Sequence, residues 1–353
     1  MLKRWRQTVT FTDLIVWAIG LAIGISIVYG SIQTIRSGQY SSQQWINLTI
    51  DGLKLGEIYA LIALGYTLVY GILRMINFAH SEIFMSGPFT AVFLAKYLNS
   101  IGFYNNHPII SLLLITLLSA AVSATIAILL ERIAYRPLRF APRLVPLITA
   151  IGASFFLQYT FRGMYGNDLE TYPSMDFLKG FIQIGPIAIP KTDALVIVSA
   201  VVMMLVLYGI VQYTKIGKAM RSVSEDKEVA ALMGIDVDRV IVFTFVLGGI
   251  SAGVAGVLYA IIFHQVHFYM GFIPGLKAFT AAVLGGIGNV VGAWLGGTLL
   301  GLLESLGPNL FLSGLGIPAA NQLKDFIAFA ILVFILIFRP QGLLGERIGK
   351  SKM

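Results

Sequence analysis

The chain has 353 residues, of which 57% are hydrophobic and only 12% are charged; a soluble domain carries about 25% charged residues, so this composition excludes a water-soluble globular protein. The chain contains no cysteine, which excludes disulfides and thiolate metal sites. Its formal net charge is +8, but the basic residues lie in short clusters between apolar runs, which is typical of membrane topology rather than of a nucleic-acid-binding surface.

Ten apolar runs with few charged residues follow one another along the chain. Backbone amides inside a bilayer must be hydrogen-bonded within their own segment, and the runs lack the alternating polarity of barrel strands. They therefore predict an all-α polytopic membrane protein, with one transmembrane domain over 1–345 and a short basic cytoplasmic tail over 346–353. The predicted membrane-spanning helices are 14–32, 48–72, 82–98, 110–131, 145–162, 193–213, 241–263, 275–287, 291–306 and 323–338.

The first run, 14–32, follows the basic residues Lys3, Arg4 and Arg6, a pattern that signal peptides share. The apolar stretch is long enough to cross a bilayer, however, and it lacks a convincing small-x-small cleavage site. We therefore expect a retained helix rather than a cleaved signal.

A glycine-rich run lies between Lys277 and Glu304. It could form one long helix, but the cluster Gly285-Gly286-Ile287-Gly288-Asn289 is typical of a turn. We therefore predict a hairpin of two short helices, 275–287 and 291–306. This choice gives an even number of crossings, so that both termini lie on the same side of the membrane.

The distribution of positive charge indicates which side that is. The termini and the loops 73–81, 132–144 and 214–240 hold 17 of the 25 lysine and arginine residues, and the opposite loops hold three. Because cytoplasmic loops are enriched in Lys and Arg, we expect both termini to be cytoplasmic. The membrane segments then occupy 14–213 and 241–338, separated by a long cytoplasmic loop.

Ten crossings divide into two units of five, which must have opposite orientations because five is odd. Inverted repeats of this kind show a short or Gly/Pro-broken segment at matching places in both halves. The third segment of each half fits: 82–98 contains Gly87 and Pro88, and 275–287 follows Pro274. The alternative is that any ten helices can be divided in this way.

The loop 214–240 contains a predicted short helix. Ser222 and Glu225 have the spacing of a capping box, Glu225 and Asp226 then fall in its first turn, and Gly234 is a natural end. Ala230 and Ala231 allow close approach of another surface. A helix this short is marginal in water, so it either docks into a partner or packs on the inner face of its own chain.

Several motifs carry a family resemblance. The pairs Glu225-Asp226, Ala230-Ala231 and Gly234-Ile235 resemble the coupling loop of ABC-importer permeases. The chain resembles the LivH type of branched-chain amino acid permease in four further segments: GEIYALIALGYTLVYG at 56–71 with INFAH at 76–80, YRPLR at 135–139, AAVLGGIG at 281–288 and FRPQGLLG at 338–345. The resemblance spans about 46–345. It departs from the family at Ser81, where glycine is usual, and the helix 14–32 looks like an extra stretch or a poorly matching family helix.

The resemblance implies a type II ABC-importer-like fold in a bacterial cytoplasmic (inner) membrane. It implies a pore shared with a second, LivM-like permease or with a second copy of the chain. It also implies two cytoplasmic ATPase subunits that hold ATP and Mg²⁺, so that this chain itself carries no cofactor, and an extracytoplasmic solute-binding protein. The implied cargo is a branched-chain or other neutral amino acid, with urea or a short amide as the alternative. The implied ATPase-coupling residues are Ser222, Glu225, Asp226, Ala230, Ala231 and Gly234.

Polar groups and helix breaks inside the apolar runs are the candidate pathway residues. Glu57 could face the pathway or pair with Lys54 three residues earlier. Asn77, His80 and Glu82 cluster at a predicted inner boundary, where they could line an exit or cap the helix 82–98. The full set of candidates is Glu57, Tyr59, Asn77, His80, Glu82, Gly87, Pro88, Pro274, Gly285 and Gly286.

Catalytic and metal motifs are not found in the sequence. It contains no Walker A, G-x-S-x-G or H-E-x-x-H pattern, and His264 with His267 lacks the further ligands that a metal needs. Isolated Glu57, Glu304 and Asp325 do not suggest an intramembrane enzyme. An ion-coupled secondary transporter is the remaining alternative, and it would need a protonatable or Na⁺ site at the midplane.

Overall fold

The computed structural model describes residues 11–345 except 140, 143 and 186. The tail 346–353 and the basic residues Lys3, Arg4 and Arg6 lie outside the described residues. The α-helices are, in chain order, α1 (Phe11–Ser37), α2 (Ser42–Leu73), α3 (His80–Ser100), α4 (Phe103–Asn106), α5 (Pro108–Leu130), α6 (Leu144–Tyr165), α7 (Lys191–Tyr213), α8 (Lys215–Glu225), α9 (Lys227–Leu232), α10 (Val237–Phe263), α11 (Phe272–Gly285), α12 (Val290–Gly307) and α13 (Lys324–Phe338). The strands are β1 (Glu170–Thr171), β2 (Phe181–Ile184), β3 (Ile187–Pro190) and β4 (Gln265–Val266).

Each of the ten apolar runs coincides with a helix. Among the described residues, eight helical stretches are long and apolar enough to cross a bilayer. The helix α11 is shorter: its 14 residues span about 21 Å at 1.5 Å per residue, against about 30 Å of hydrocarbon. The all-α polytopic membrane fold is confirmed, whereas the exact number of ten crossings stays a prediction.

Two long helices, α2 and α10, form the centre of the bundle. α2 is buried continuously from Gly56 to Val69 and packs along α12, whereas α10 packs along α5, and the two central helices also touch each other. Glycines bring the backbones together. A Cβ atom added to Gly56 would lie 2.9 Å from the Cα of Thr298 in α12, and one added to Gly253 would lie 2.8 Å from the Cα of Ala120 in α5. Close small-residue contacts therefore stabilise both interfaces.

The packing is reciprocal between the two halves of the chain. α2 packs on α12 as α10 packs on α5, α3 packs on α5 as α11 packs on α12, and α3 touches α10 as α11 touches α2. This is the pattern that two inverted five-helix halves would produce. The helix α1 departs from it, because it packs mainly against the segment 308–315, whereas its counterpart α7 packs along α2.

The glycine-rich run forms a hairpin, as expected, and not one long helix. α11 ends at Gly285, and Gly286 and Gly288 have φ angles of 104° and 103°, a backbone region in which side chains with a Cβ are strained. The side chain of Asn289 then accepts a hydrogen bond from Gly292 N and caps α12. Residues 339–345 fold back onto the turn, where Leu343 N donates to the carbonyl of Leu284 at 2.8 Å.

The long polar segment between α6 and α7 is held by short strands. β2 and β3 form an antiparallel hairpin, and β1 pairs with β4, which follows α10. This region lies at the end of the bundle opposite to α8 and α9, because α7 connects the two regions. The strands therefore tie the predicted outer loops of the two halves together.

Candidate functional site

Two helices, α3 and α11, begin inside the bundle rather than at its ends. Their first turns touch, because a Cβ atom added to Gly275 of α11 would lie 3.2 Å from the Cα of Ser81 in α3. Glu82, in the first turn of α3, accepts a hydrogen bond from Ser154 at 3.1 Å, and Ser154 lies halfway along α6. Two chain breaks therefore meet near the middle of the bundle, one from each half of the chain.

A cavity of about 210 Å³ opens where these breaks meet. Pockets for drug-sized ligands typically measure about 300–1,000 Å³, so this cavity suits a small solute. Most of its wall is aromatic or aliphatic, and three hydroxyl groups form a polar edge. The lining residues come from α2, α3 with the segment before it, α6 and α11: Tyr66, Phe78, Ser81, Ile151, Ser154, Phe155, Phe272 and Leu276.

The carboxylate of Glu82 lies directly behind this polar edge. Its Oε1 accepts hydrogen bonds from Gln158 at 2.9 Å, from Ser154 at 3.1 Å and from Ser81 at 3.3 Å. Its Oε2 has no hydrogen-bond partner in the described part of the chain, although the residue is 0% exposed. No described lysine, arginine or histidine lies within ion-pair distance of it. We call this carboxylate, the three donors and the cavity the Glu82 site.

His80 and Asn77, which the sequence had placed with Glu82 at an inner boundary, are buried in the bundle. The ring of His80 packs edge-on against Tyr66 with centroids 4.8 Å apart. The Oδ1 of Asn77 accepts a hydrogen bond from the hydroxyl of Tyr135 at 2.8 Å. The expected capping of α3 is wrong, since the N-cap residue is Ala79 and no side chain bonds the cap.

Glu57 does not pair with Lys54, which corrects that expectation. The ammonium of Lys54 contacts Asp51 at 2.7 Å and Asp193 at 3.1 Å, and Asp193 lies in α7. The carboxylate of Glu57 instead accepts hydrogen bonds from Trp294 Nε1 at 2.8 Å and from Thr298 Oγ1 at 3.2 Å. Glu57 therefore lies in the interface between α2 and α12, away from the residues that line the cavity.

A buried ion cluster that sequence reasoning missed joins four helices. The ammonium of Lys277 in α11 lies 2.6 Å from Glu304 of α12 and 2.6 Å from Asp325 of α13, and 3.5 Å from the hydroxyl of Tyr59 in α2. Lys277 is 5% exposed and Glu304 is 3% exposed. Glu304 and Asp325 are thus not isolated. The signal in the sequence that could have indicated this cluster is Lys277, a charged residue inside an apolar stretch. Lys277 had been treated only as the boundary of the glycine-rich run.

The glycine and proline residues that were predicted to break helices lie in different parts of the structure. A Cβ atom on Gly256 of α10 would lie 2.7 Å from the ring of Pro88, and the hydroxyl of Ser123 in α5 donates to the carbonyl of Ile83, one turn before Gly87. Pro274 lies in the first turn of α11, near the cavity. The remaining two candidates, Gly285 and Gly286, lie at the hairpin turn and contact the folded-back tail rather than the cavity.

The predicted coupling helix has a different start. Ser222 lies inside α8, where its hydroxyl donates to the carbonyl of Lys218, and Glu225 is the last residue of that helix. Asp226 is the N-cap of α9, since its Oδ1 accepts hydrogen bonds from the backbone of Glu228 at 2.8 Å and of Val229 at 3.0 Å. The expected capping box of Ser222 is therefore wrong, because Ser222 belongs to α8, which precedes the N-cap of α9.

The end of α9 agrees with the sequence. Gly234 has a φ angle of 83°, the left-handed conformation that ends many helices. Ala230 is 3% exposed and anchors α9 to the bundle, whereas Ala231 faces outward. Three apolar side chains of this segment are exposed: Val229 by 54%, Leu232 by 86% and Met233 by 78%. The segment therefore packs on its own chain through one face and leaves an apolar patch on the other.

The loop that carries this patch is tied to the end of α2. The guanidinium of Arg74, at the end of α2, donates to the carbonyl of Ser224 at 3.3 Å. Partial burial lowers the pKa of Lys227, and the charges of Arg139 and Arg74 lower it further. The apolar side chains are therefore exposed on an anchored segment in which Lys227 lies between two acidic residues, Asp226 and Glu228.

The two histidines beside the outer loops do not form a metal site with other residues. His264 and His267 follow α10, and the described residues contain no group of three or more His, Asp or Glu side chains that could hold a metal ion. His264 instead accepts a backbone hydrogen bond from Tyr172 at 3.0 Å. Burial lowers the pKa of His267.

Comparison with known proteins identifies the family. Residues 48–336 match the family model described as branched-chain amino acid transport system, permease component. The chain is 38% identical over 307 residues to the high-affinity branched-chain amino acid transport system permease protein BraD of Pseudomonas aeruginosa. The matched residues cover 86% of this chain and 96% of BraD. It is 38% identical over 310 residues to LivH of Escherichia coli, covering 87% of this chain and 96% of LivH. No solved structure matches the chain significantly.

The region that matches the family model does not include the first helix. The family model begins at residue 48, so α1 lies outside it, in agreement with its distinct packing. The relatives are named as permease proteins and not as enzymes. The chain therefore belongs to the branched-chain amino acid transport permease family, and it is a multi-pass membrane permease component of a transport system.

Proposed function

We propose that the chain is a pore-forming permease subunit of an ATP-driven importer for branched-chain or other neutral amino acids. The observation that carries this proposal is the 38% identity to BraD and LivH over nearly the whole of those proteins. The cavity supports it, because a small space with an apolar wall and a polar edge suits a solute with an aliphatic side chain and a polar head. These relatives favour neither a urea importer nor an ion-coupled secondary transporter.

The proposed assembly places each partner on a different surface. The apolar patch of α9 would contact a cytoplasmic ATPase subunit, because an exposed helix with adjacent apolar residues suits docking into a groove. The strand-tied loops at the opposite end would receive a solute-binding protein. A second permease, LivM-like or a second copy of this chain, would complete the pore. Both termini would then be cytoplasmic, in a bacterial inner membrane.

The proposed mechanism is alternating access without chemistry on the solute. ATP and Mg²⁺ would be held by the ATPase subunits, whose closure would push on α9. Ala230 packs α9 into the bundle and Arg74 links the loop to α2, so this push would reach α2 and α10. Because α3 and α11 begin where α2 and α10 cross, relative movement of the two halves would open the cavity to one side at a time.

The test is uptake of radiolabelled L-leucine by proteoliposomes that contain this chain with its cognate second permease, ATPases and solute-binding protein. We expect uptake that requires ATP and the binding protein and that unlabelled L-isoleucine inhibits but urea does not. Parallel vesicles without ATP, with a proton or sodium gradient imposed, should accumulate no leucine. Urea accumulation, or gradient-driven leucine uptake by the chain alone, would contradict the proposal.

A further inference from the structure

The Glu82 site contains a buried carboxylate with no cationic side chain beside it among the described residues. Three neutral donors serve Oε1, and Oε2 has no partner in the described residues. A carboxylate removed from water normally has a cationic partner or a full set of hydrogen bonds. Ionisable groups inside a membrane bundle also usually mark the route of a solute. Glu82 therefore has an oxygen that is free to accept a hydrogen bond from a cationic group of a solute.

The carboxylate lies directly behind the wall of the cavity. Ser81 and Ser154, which donate to Glu82, also line the cavity, so a rearrangement of these two side chains would bring a solute into contact with the carboxylate. The rest of the lining is mostly apolar and includes Phe155 and Phe272. The cavity therefore has one polar edge, with a carboxyl group behind it, and an otherwise apolar wall.

The chemistry of the site discriminates between possible cations. A divalent metal ion needs several oxygen ligands, usually from more than one carboxylate, and the described residues hold no group of three acidic or histidine side chains. A single carboxylate with hydroxyl groups matches a primary ammonium, which has three donors. The beginning of α11 contributes Phe272 to the cavity, and its first turn touches Ser81. The cavity therefore offers an amino acid a polar edge in front of Glu82 and apolar side chains around it.

We propose that Glu82 is the counter-ion for the ammonium group of the transported amino acid, while the aromatic wall of the cavity contacts its aliphatic side chain. This inference rests on the proposed function and adds to it a binding position on the route and a reason for selecting amino acids. The hydroxyls of Ser81 and Ser154 position the carboxylate and complete the ammonium contacts.

The test uses the complete transporter in proteoliposomes, with L-leucine as the probe. The substitution Glu82→Gln keeps the size and one acceptor oxygen for the three donors but replaces the second oxygen with a donor and removes the charge. We expect L-leucine uptake per assembled complex to fall at least about tenfold, since a charge-assisted hydrogen bond is lost, while ATP hydrolysis by the complex continues. Ser154→Ala should reduce uptake less, by about threefold.

Ser119→Ala is the matched control. Its hydroxyl is also buried but donates to the carbonyl of Gly253 in another interface, away from the cavity, so uptake should be unchanged. Uptake by the Glu82→Gln variant at the rate of the unmodified complex would overturn the inference. If Glu82→Gln failed to assemble, equal effects of Ser154→Ala and Ser119→Ala on uptake would overturn it instead. Absence of leucine uptake by the unmodified complex would instead contradict the proposed function itself.

Discussion

The two buried carboxylates Glu304 and Glu82 have opposite electrostatic surroundings. Glu304 lies 2.6 Å from the ammonium of Lys277, which also contacts Asp325. Glu82 has only neutral donors in the described residues and lies beside a cavity. A charge that is balanced within the fold holds helices together, whereas one that is left unbalanced is available to a solute. Burial alone therefore does not separate a structural carboxylate from a functional one.

The largest expected effect comes from removing the cation of the balanced cluster. Lys277→Met keeps the length of the side chain but leaves Glu304 buried without a counter-charge. Breaking a buried pair on one side costs about 3–5 kcal/mol, so we expect a large loss of folded protein and of thermal stability in detergent. The measurement is the abundance and the melting temperature of the purified complex.

The double variant Lys277→Met with Glu304→Gln sharpens this prediction. Removing both charges should recover much of the lost stability, because no uncompensated charge remains in the interface between α11 and α12. If the single variant were as stable as the unmodified chain, the cluster would not be structural and the comparison with Glu82 would fail.

A smaller effect is expected from filling the close contact between α2 and α12. Gly56→Leu places a side chain where the Cα of Thr298 lies 2.9 Å from the added Cβ. Overpacking of this kind typically costs about 1–3 kcal/mol. The melting temperature should fall, whereas Gly24→Leu in α1, which meets nothing within 4 Å, should leave it unchanged. Equal melting temperatures for the two variants would show that the interface can move apart freely.

The cap of α9 should contribute about 1 kcal/mol. Asp226→Ala removes the acceptor for the backbone amides of Glu228 and Val229, and loss of such a cap costs about 0.5–2 kcal/mol. We expect faster hydrogen exchange at 227–232 and weaker ATPase association. Asp226→Asn, which keeps an acceptor oxygen, should behave like the unmodified chain; if both variants retained full ATPase association, α9 would not be the docking segment.

The smallest effect is expected at Glu57, another buried carboxylate. Both of its oxygens have donors, Trp294 and Thr298, and it does not line the cavity. Glu57→Gln can keep an acceptor toward Trp294 and donate to the hydroxyl of Thr298, so we expect a stability change below about 1 kcal/mol and normal leucine uptake. A loss of uptake as large as that of Glu82→Gln would break the distinction between the two sites.

The helices were predictable because they depend on continuous apolar runs, and the hairpin at 285–289 because glycines concentrate there. Side-chain partners were not. Lys54 and Glu57 have suitable spacing for a pair, but Asp193, which is distant in the sequence, competes for the ammonium of Lys54. Likewise Ser222 fits a cap by local rules, yet burial of Met220 and Val223 continues α8 past it. Such choices depend on packing, which one sequence does not display.

The cavity also lay beyond sequence reasoning, for a related reason. Glu82 was identified as a candidate, but its donors Ser154 and Gln158 come from α6, and the aromatic wall includes Phe272 of the other half. These residues become neighbours only because α3 and α11 both begin in the interior. The polar groups were visible in the sequence, whereas their convergence required the inverted packing of the two halves.

The most direct measurement is the ratio of L-leucine uptake to assembled complex for Glu82→Gln and Lys277→Met side by side. The account predicts that Glu82→Gln assembles normally but loses at least about tenfold in this ratio, whereas Lys277→Met assembles poorly and the surviving complexes transport leucine at the unmodified rate. A normal ratio for Glu82→Gln, or a lost ratio for both variants, would contradict it.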